Sequence, residues 1–172
     1  KLVSENKVAA VMFECVQGEG GVIPLTKEFV CGLAELAEKE NFLLIVDEVQ
    51  TGNGRTGKMY AYQNFGICPD IVSTAKGLGG GLPLGAVLFG EKTENTYTFG
   101  DHGSTFGGNP VCCAGALSIV SRIDDKLLDE VKAKSEYIFK AFEGASGVES
   151  VSGMGLMIGI KTKKPAKDVL NA

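Results

Sequence analysis

A chain of 172 residues with a formal net charge of −4 is long enough for one domain with a buried core, since roughly 70% of the surface of a 150-residue chain is buried on folding. Its 17 basic residues are scattered among 21 acidic ones, which argues against the one-sided basic face that nucleic acid or an anionic membrane selects. The longest aliphatic runs, such as Leu43-Leu44-Ile45-Val46, are far too short to span a bilayer.

No basic stretch followed by an apolar one reads as a secretory leader. The five cysteines, at positions 15, 31, 68, 112 and 113, have no metal-ligand spacing. They read as reduced thiols of a cytoplasmic protein. Glycine is the outlier at 24 residues, close to twice its usual share of about 7%. With no initiator methionine and a strand-like run beginning at Val8, the chain reads as a piece of a longer one.

In chain order, Val8 to Val16 is apolar enough for a buried strand and runs into the glycine loop QGEGGVIP. Thr26 is placed to cap a helix whose apolar face is Phe29, Val30, Leu33, Leu36 and Ala37, with Asn41 at its end. Phe42 to Val46 reads as an interior parallel strand that stops at Asp47-Glu48. The loop TGNGRTGK follows, then a short helix near Met59 to Phe65. Strands are expected at Ile71–Ala75 and Leu84–Phe89. Asn109-Pro110 opens a helix to about Arg122, the cap and the first-turn proline both in favoured places. Asp124-Asp125 opens another, with Leu127, Leu128, Val131, Ile138 and Phe142 on one face and Gly144 and Gly147 closing it. Val148 to Ile160 then reads as antiparallel strands around Gly153-Met154-Gly155. Alternating strand and helix predicts an α/β fold with a mainly parallel sheet. The change to an α+β pattern places a domain junction near Asp124.

Open α/β sheets bind ligands beyond the carboxyl ends of their strands. Three groups leave such ends here: Gln17 and Glu19, then Asp47-Glu48-Val49-Gln50, then Lys76. Any one of them alone is as well explained by capping or a solvated charge. Three together, each followed by glycines that admit a ligand to the backbone, point to a site. A nucleotide site is the first reading, because LLIVDE has the shape of a Walker B strand and GNGRTGKM fits G-x-x-x-x-G-K. The chemistry fails, since Met59 stands where a hydroxyl must hold Mg²⁺, and the loop follows the acidic strand instead of preceding it. The second reading sets the amine of Lys76 against the carboxylate of Asp47 across a glycine-lined cleft. That pair suits a Schiff base with pyridoxal phosphate, whose pyridine nitrogen needs an acid to stay protonated.

The runs ECVQGEGGVIP, LLIVDEVQTGNGRTGKMYAYQNFGICPDIVSTAKGLGGGLPLGAV and GDHGSTFGGNPVCCAGAL resemble, in this order, the class III, fold-type I pyridoxal-phosphate aminotransferases. The likeness covers nearly the whole chain and is densest from Phe13 to Leu117. It implies a three-layer α/β/α fold, with residues 1–123 as the second half of the cofactor domain and 124–172 as the beginning of a small C-terminal domain. It also implies site roles. Lys76 carries the cofactor and moves the substrate proton, and Asp47 pairs with the pyridinium nitrogen. Glu48, Val49 and Gln50 stand in the cofactor-binding stretch, with Val49 on the ring face and Gln50 on the phenolic oxygen. Thr105 binds the phosphate across a homodimer interface, Ser104 touches substrate, and Glu19 gates the site by pairing with an arginine. The family's earlier glycine segment, stacking aromatic and substrate arginine would precede Lys1, and the gating arginine would follow Ala172.

Blander roles suit the other polar residues. His102 reads as a loop-former, Arg55 and Lys58 as loop braces, Cys112-Cys113 as packing and Glu48 also as an ion-pair partner. Within the family the runs look most like enzymes that move the δ-amino group of N-acetylornithine to 2-oxoglutarate, a step of arginine synthesis. Ornithine, succinylornithine or 4-aminobutyrate are alternative donors, with the last less similar in HGSTFGGNP. A different reading is an inert folded fragment that dimerises without turnover.

Overall fold

A computed structural model describes residues 2–171. Its elements are α1 (Leu2–Glu5), β1 (Ala10–Phe13), β2 (Val16–Gln17), β3 (Ile23–Pro24), α2 (Lys27–Glu40), β4 (Leu43–Asp47), β5 (Ile71–Thr74), β6 (Ala86–Phe89), α3 (Pro110–Val120), α4 (Asp125–Phe142), β7 (Val148–Met154), β8 (Met157–Thr162) and α5 (Ala166–Leu170). Two 3-10 turns, Ala61–Asn64 and Lys76–Gly79, complete the order. One sheet runs β1-β4-β5-β6, parallel between β1, β4 and β5 and antiparallel at the β6 edge. The fold is α/β with a mainly parallel sheet.

Helix α2 forms where its caps permit. The Thr26 hydroxyl accepts the Phe29 N–H at 3.2 Å, and Asn41 closes the helix in the left-handed region at φ 55°, a conformation asparagine tolerates better than most residues. Val30 and Ala37 are buried beneath it. Val30 packs with Cys15, Val46, Ala61 and Phe65, and Ala37 with Phe42 and Leu44. Phe29, expected on the apolar face, is instead 55% exposed. At the amino end of β5, Asp70 ties three strands together. Its carboxylate accepts the Leu44 N–H at 2.8 Å, and its carbonyl accepts the Gly90 N–H and the Thr93 hydroxyl at 2.8 and 2.9 Å.

The single strand expected over Val8–Val16 is two. After Phe13 the chain leaves the sheet, and β2 pairs antiparallel with β3. The Glu14 carboxylate accepts the Gly18 N–H at 3.1 Å and the Cys15 carbonyl accepts the Leu25 N–H at 2.9 Å, local bonds that replace the parallel ladder. The expected helix at Met59–Phe65 is only the 3-10 turn. Among the described residues no helix is long and apolar enough to cross a membrane.

The Asp124 carboxylate accepts the Leu127 N–H at 2.8 Å and starts α4. Leu128, Val131 and Ile138 are partly covered, while Leu127 and Phe142, expected on the same face, are exposed. Strands β7 and β8 form the expected antiparallel hairpin. Its turn folds onto the loop after β4, where the Arg55 carbonyl accepts the Leu156 N–H at 2.9 Å. Gly155 sits there at φ 60°, and a side chain on it would strike the Arg55 carbonyl. Farther along, the Ser152 hydroxyl donates to the Val22 carbonyl at 2.9 Å.

Candidate functional site

Strands β4 and β5 run side by side with Asp47 opposite Ser73, so their following residues emerge at one rim of the sheet. There a cleft of about 380 Å³ is lined by Gly18 and Val22 from the first loop, Val49, Gln50, Asn53 and Arg55 from the second, Lys76 and Gly77 from the third, and Leu156 to Ile158 from the hairpin. The loops after the three strand ends therefore meet at one cleft, through Gly18, through Val49 and Gln50, and through Lys76, while Gln17, Glu19 and Asp47 stand outside its lining.

At Gly18 the first loop passes close to Gln50: a Cβ there would lie 2.5 Å from Gln50 Nε2, so a side chain at this position would displace the Gln50 amide. Asp47 is partly buried at the end of β4, with Oδ1 accepting the Val49 N–H at 2.9 Å. This bond orients the carboxylate and the Val49 backbone together. Lys76 is exposed at the cleft and opens its 3-10 turn at φ 47°. A lysine in the left-handed region is held there by its surroundings, because its own side chain offers nothing to stabilise it.

Those surroundings include Asn53, which the sequence reading passed over. Its Nδ2 donates to Thr74 Oγ1 at 3.1 Å and to the Ala75 carbonyl at 3.2 Å, while its Oδ1 is buried with no partner among the described residues. Asn53 itself stands at φ 56°. The signal present in the sequence is an asparagine between two glycines, a combination suited to left-handed backbone. Val22, at φ 55°, is a second omission. A β-branched residue in that region is strained, and it is retained by the Ser152 hydroxyl and by Gly159, where a Cβ would lie 2.9 Å from Val22 Cβ.

Glu48 corrects the expectation. It is wholly buried and outside the cleft lining, with Thr51 Oγ1 donating to Oε2 at 2.5 Å and the Tyr62 N–H donating to Oε1 at 2.9 Å. Among the described residues no ion pair involves it. Alternation along an extended strand sends neighbours to opposite sides, so Glu48 points into the core beside Cys15 and not toward a ligand. Burial raises its pKa against the lowering effect of those hydrogen bonds. Burial, with the charge of Glu48 second, pushes the Cys15 thiol up to about 12.

Glu19 is exposed on its loop and does not line the cleft, nor do Ser104 and Thr105. These two lie in an exposed segment between β6 and α3. His102 stacks on Tyr97 there at 5.8 Å between ring centres, and Tyr97 meets Phe89 edge-on at 5.2 Å. This fits the loop-forming role expected of the histidine. Asn109 Oδ1 accepts the Val111 and Cys112 N–H groups at 3.0 and 3.2 Å and starts α3. Of the cysteine pair only Cys112 is buried; Cys113 is exposed. Arg55 braces the hairpin through its carbonyl, while its side chain is exposed at the cleft.

The whole chain, residues 1–172, matches the family model "Aminotransferase class-III". It is similar to the acetylornithine aminotransferase of Haemophilus ducreyi, 48% identical over 159 residues that span 92% of this chain and 40% of that protein. Among solved structures, the acetylornithine aminotransferase of Elizabethkingia anophelis superposes with a TM-score of 0.89 at 35% identity, over 99% of this chain and 47% of that one. The ornithine aminotransferase of Toxoplasma gondii gives 0.88 at 32% identity, over 94% and 40%. The chain thus spans 40–44% of the length of the first curated relatives it matches. With the family pattern matched from end to end and the α/β fold shared with solved members, this chain belongs to the class III aminotransferases.

Proposed function

We propose that the full-length protein is a pyridoxal-phosphate-dependent aminotransferase that moves the δ-amino group of N-acetylornithine to 2-oxoglutarate. The observation that carries this is the convergence of Lys76, Gln50 and the Asp47 strand end at one glycine-lined rim. The residues present fit the cofactor: an amine, a carboxylate and an amide come from adjacent strand ends, and the backbone at Gly18 and Gly77 leaves room beside them. When bound, the cofactor supplies an aldehyde for the amino group and a cationic ring that withdraws electrons from the reacting bonds.

Lys76 would hold that aldehyde covalently and, once displaced, carry a proton from the amine-bearing carbon of the substrate. Asp47 would keep the ring nitrogen protonated by charge pairing, an interaction strengthened where water is excluded. Val49 would cover one ring face and Gln50 would donate to the ring oxygen. Ser104 and Thr105, exposed and away from their own cleft, would complete the site of a second copy in a homodimer, with Thr105 on the phosphate and Ser104 on substrate. Glu19 would select between the two substrates from its exposed loop. Residues 1–123 would belong to the cofactor domain and 124–172 to the small domain of a cytoplasmic enzyme. The 172-residue chain alone would fold in part without turnover.

The N-acetylornithine reading is supported by relatives of that name at 41–48% identity. Ornithine is the alternative donor, favoured by the likeness to ornithine aminotransferase structures. A panel of N-acetylornithine, ornithine, succinylornithine and 4-aminobutyrate on the full-length enzyme tests the substrate. The highest kcat/KM is expected for N-acetylornithine, and a higher value for another donor overturns that choice. Borohydride reduction followed by peptide mapping tests the cofactor residue. The label is expected on Lys76, and a label on Lys58 or Lys92 refutes the assignment.

A further inference from the structure

We propose that Asn53 is a positioning residue that sets the Lys76 amine toward the cleft by clamping the Ala75 carbonyl; this rests on the reading of Lys76 as the cofactor-bearing lysine. Two donors converge on that carbonyl, Asn53 Nδ2 at 3.2 Å and the Leu78 N–H at 3.0 Å. Together they fix the plane of the Ala75–Lys76 peptide, and with it the left-handed φ of 47° at Lys76. That conformation is unfavourable for a residue with a side chain and persists only where neighbours over-determine it. The orientation of the amide is settled chemically. A flipped Asn53 would set its oxygen against the Ala75 oxygen, two acceptors face to face.

Among the described residues, Asn53 Oδ1 is buried with no hydrogen-bond partner. A residue that merely filled a left-handed loop position would be served as well by glycine, which neighbours it on both sides and leaves no buried polar atom. The amide donor is what glycine lacks. Asn53 also faces Gly77, where a Cβ would lie 3.5 Å from Asn53 Cβ. The loop after β4 and the turn after β5 therefore meet at this side chain, on the wall of the cleft.

The test uses the full-length holoenzyme with Asn53→Gly, which keeps the backbone permissive and deletes the amide, and Asn53→Asp, which keeps the shape and reverses the donor. Thr74→Val is the comparison, because it removes the other acceptor of the Asn53 amide, together with the Thr74 hydrogen bond to Tyr60, and leaves the Ala75 clamp in place. Each is measured for kcat, KM, thermal midpoint and the pH midpoint of the visible absorbance of bound cofactor. Both Asn53 variants are expected to lose about tenfold or more in kcat, with KM changed by less than about twofold, as a misplaced reacting group does. Their absorbance midpoint is expected to shift, while Thr74→Val retains both parental values. An unchanged kcat and absorbance midpoint in Asn53→Gly overturns the proposal. So does an equal loss in Thr74→Val, which assigns the effect to anchoring of the loop. A parental borohydride label away from Lys76 overturns the underlying reading and this proposal with it, whereas a label on Lys76 with silent Asn53 variants removes this proposal alone.

Discussion

The rim around Lys76 and the segment from β6 to α3 are built on opposite terms. At the rim, hydrogen bonds tie loop to loop: Asn53 to Ala75, Leu156 to Arg55 and Ser152 to Val22. In the second region the apolar side chains have little to pack against within this chain. All four residues of β6 are exposed, as are Phe106 at 83% and Leu117 at 71%. A helix as apolar all round as α3 is ordinarily covered on every side. The rim is thus held by contacts within the chain, whereas the segment from β6 to α3 leaves its apolar side chains uncovered among the described residues.

The largest effect that sharpens this contrast is chemical. In the full-length enzyme, Asp47→Ala is expected to slow the half-reaction by about 10²–10³, comparable to the loss of one preorganised electrostatic partner. Near-normal single-turnover rates in that variant would remove Asp47 from the site. Next comes complementation between the regions. Lys76→Ala and Thr105→Ala subunits, each inactive alone, are expected to recover about half of the parental activity per mixed dimer if the exposed loop serves the partner's cleft. Activity that stays at the level of the single variants places Thr105 in its own subunit's site or outside any site.

Stability separates the regions in smaller steps. Leu44→Ala in the buried cluster is expected to cost about 2–5 kcal/mol by denaturant unfolding. Phe99→Ser in the exposed segment is expected to change the 172-residue chain by less than about 0.5 kcal/mol, while weakening subunit association in the full-length protein. Equal costs in the two variants would erase the distinction. The smallest effect is the pH dependence of Glu48. Its carboxyl titrates above the ordinary value of 4.5 because burial disfavours the charge, so the native state binds the proton more tightly than the unfolded chain does. Stability from this group is therefore full below 4.5 and declines as pH rises through the raised native value. Glu48→Gln is expected to flatten that decline in thermal midpoint, and an unchanged slope would mean the carboxyl is charged at no cost.

Much of this was legible because it is local. Thr26, Asn109 and Asp124 each cap the helix they were expected to start, since a short polar side chain needs only its own next three residues to do so. The strand ends at Asp47 and Lys76 were legible for a similar reason, an apolar run meeting a charge beside glycines. Glu48 misled because a run of polar residues does not show which member faces inward. That depends on the pleat and on Thr51 and Tyr62 closing over it. Asn53 and Val22 were missed because their importance lies in contacts with residues 22 and 130 positions away, Ala75 and Ser152.

What the sequence by itself determined about this protein is the order of its main elements from α2 to the closing hairpin, the caps of its three long helices, and the three polar strand ends. All of these follow from periodicity and from the conformational limits of glycine, proline and short polar side chains. Only the tertiary structure decided which of those ends meet, that Glu48 turns inward, that β2 leaves the sheet, and that Leu156 to Ile158 of the closing hairpin, 80 to 82 positions beyond Lys76, line the cleft. The reason is physical. Local preferences act over a few residues, whereas a site at a sheet rim is assembled by register, close approach and hydrogen bonds between segments that do not know of one another until the chain is packed.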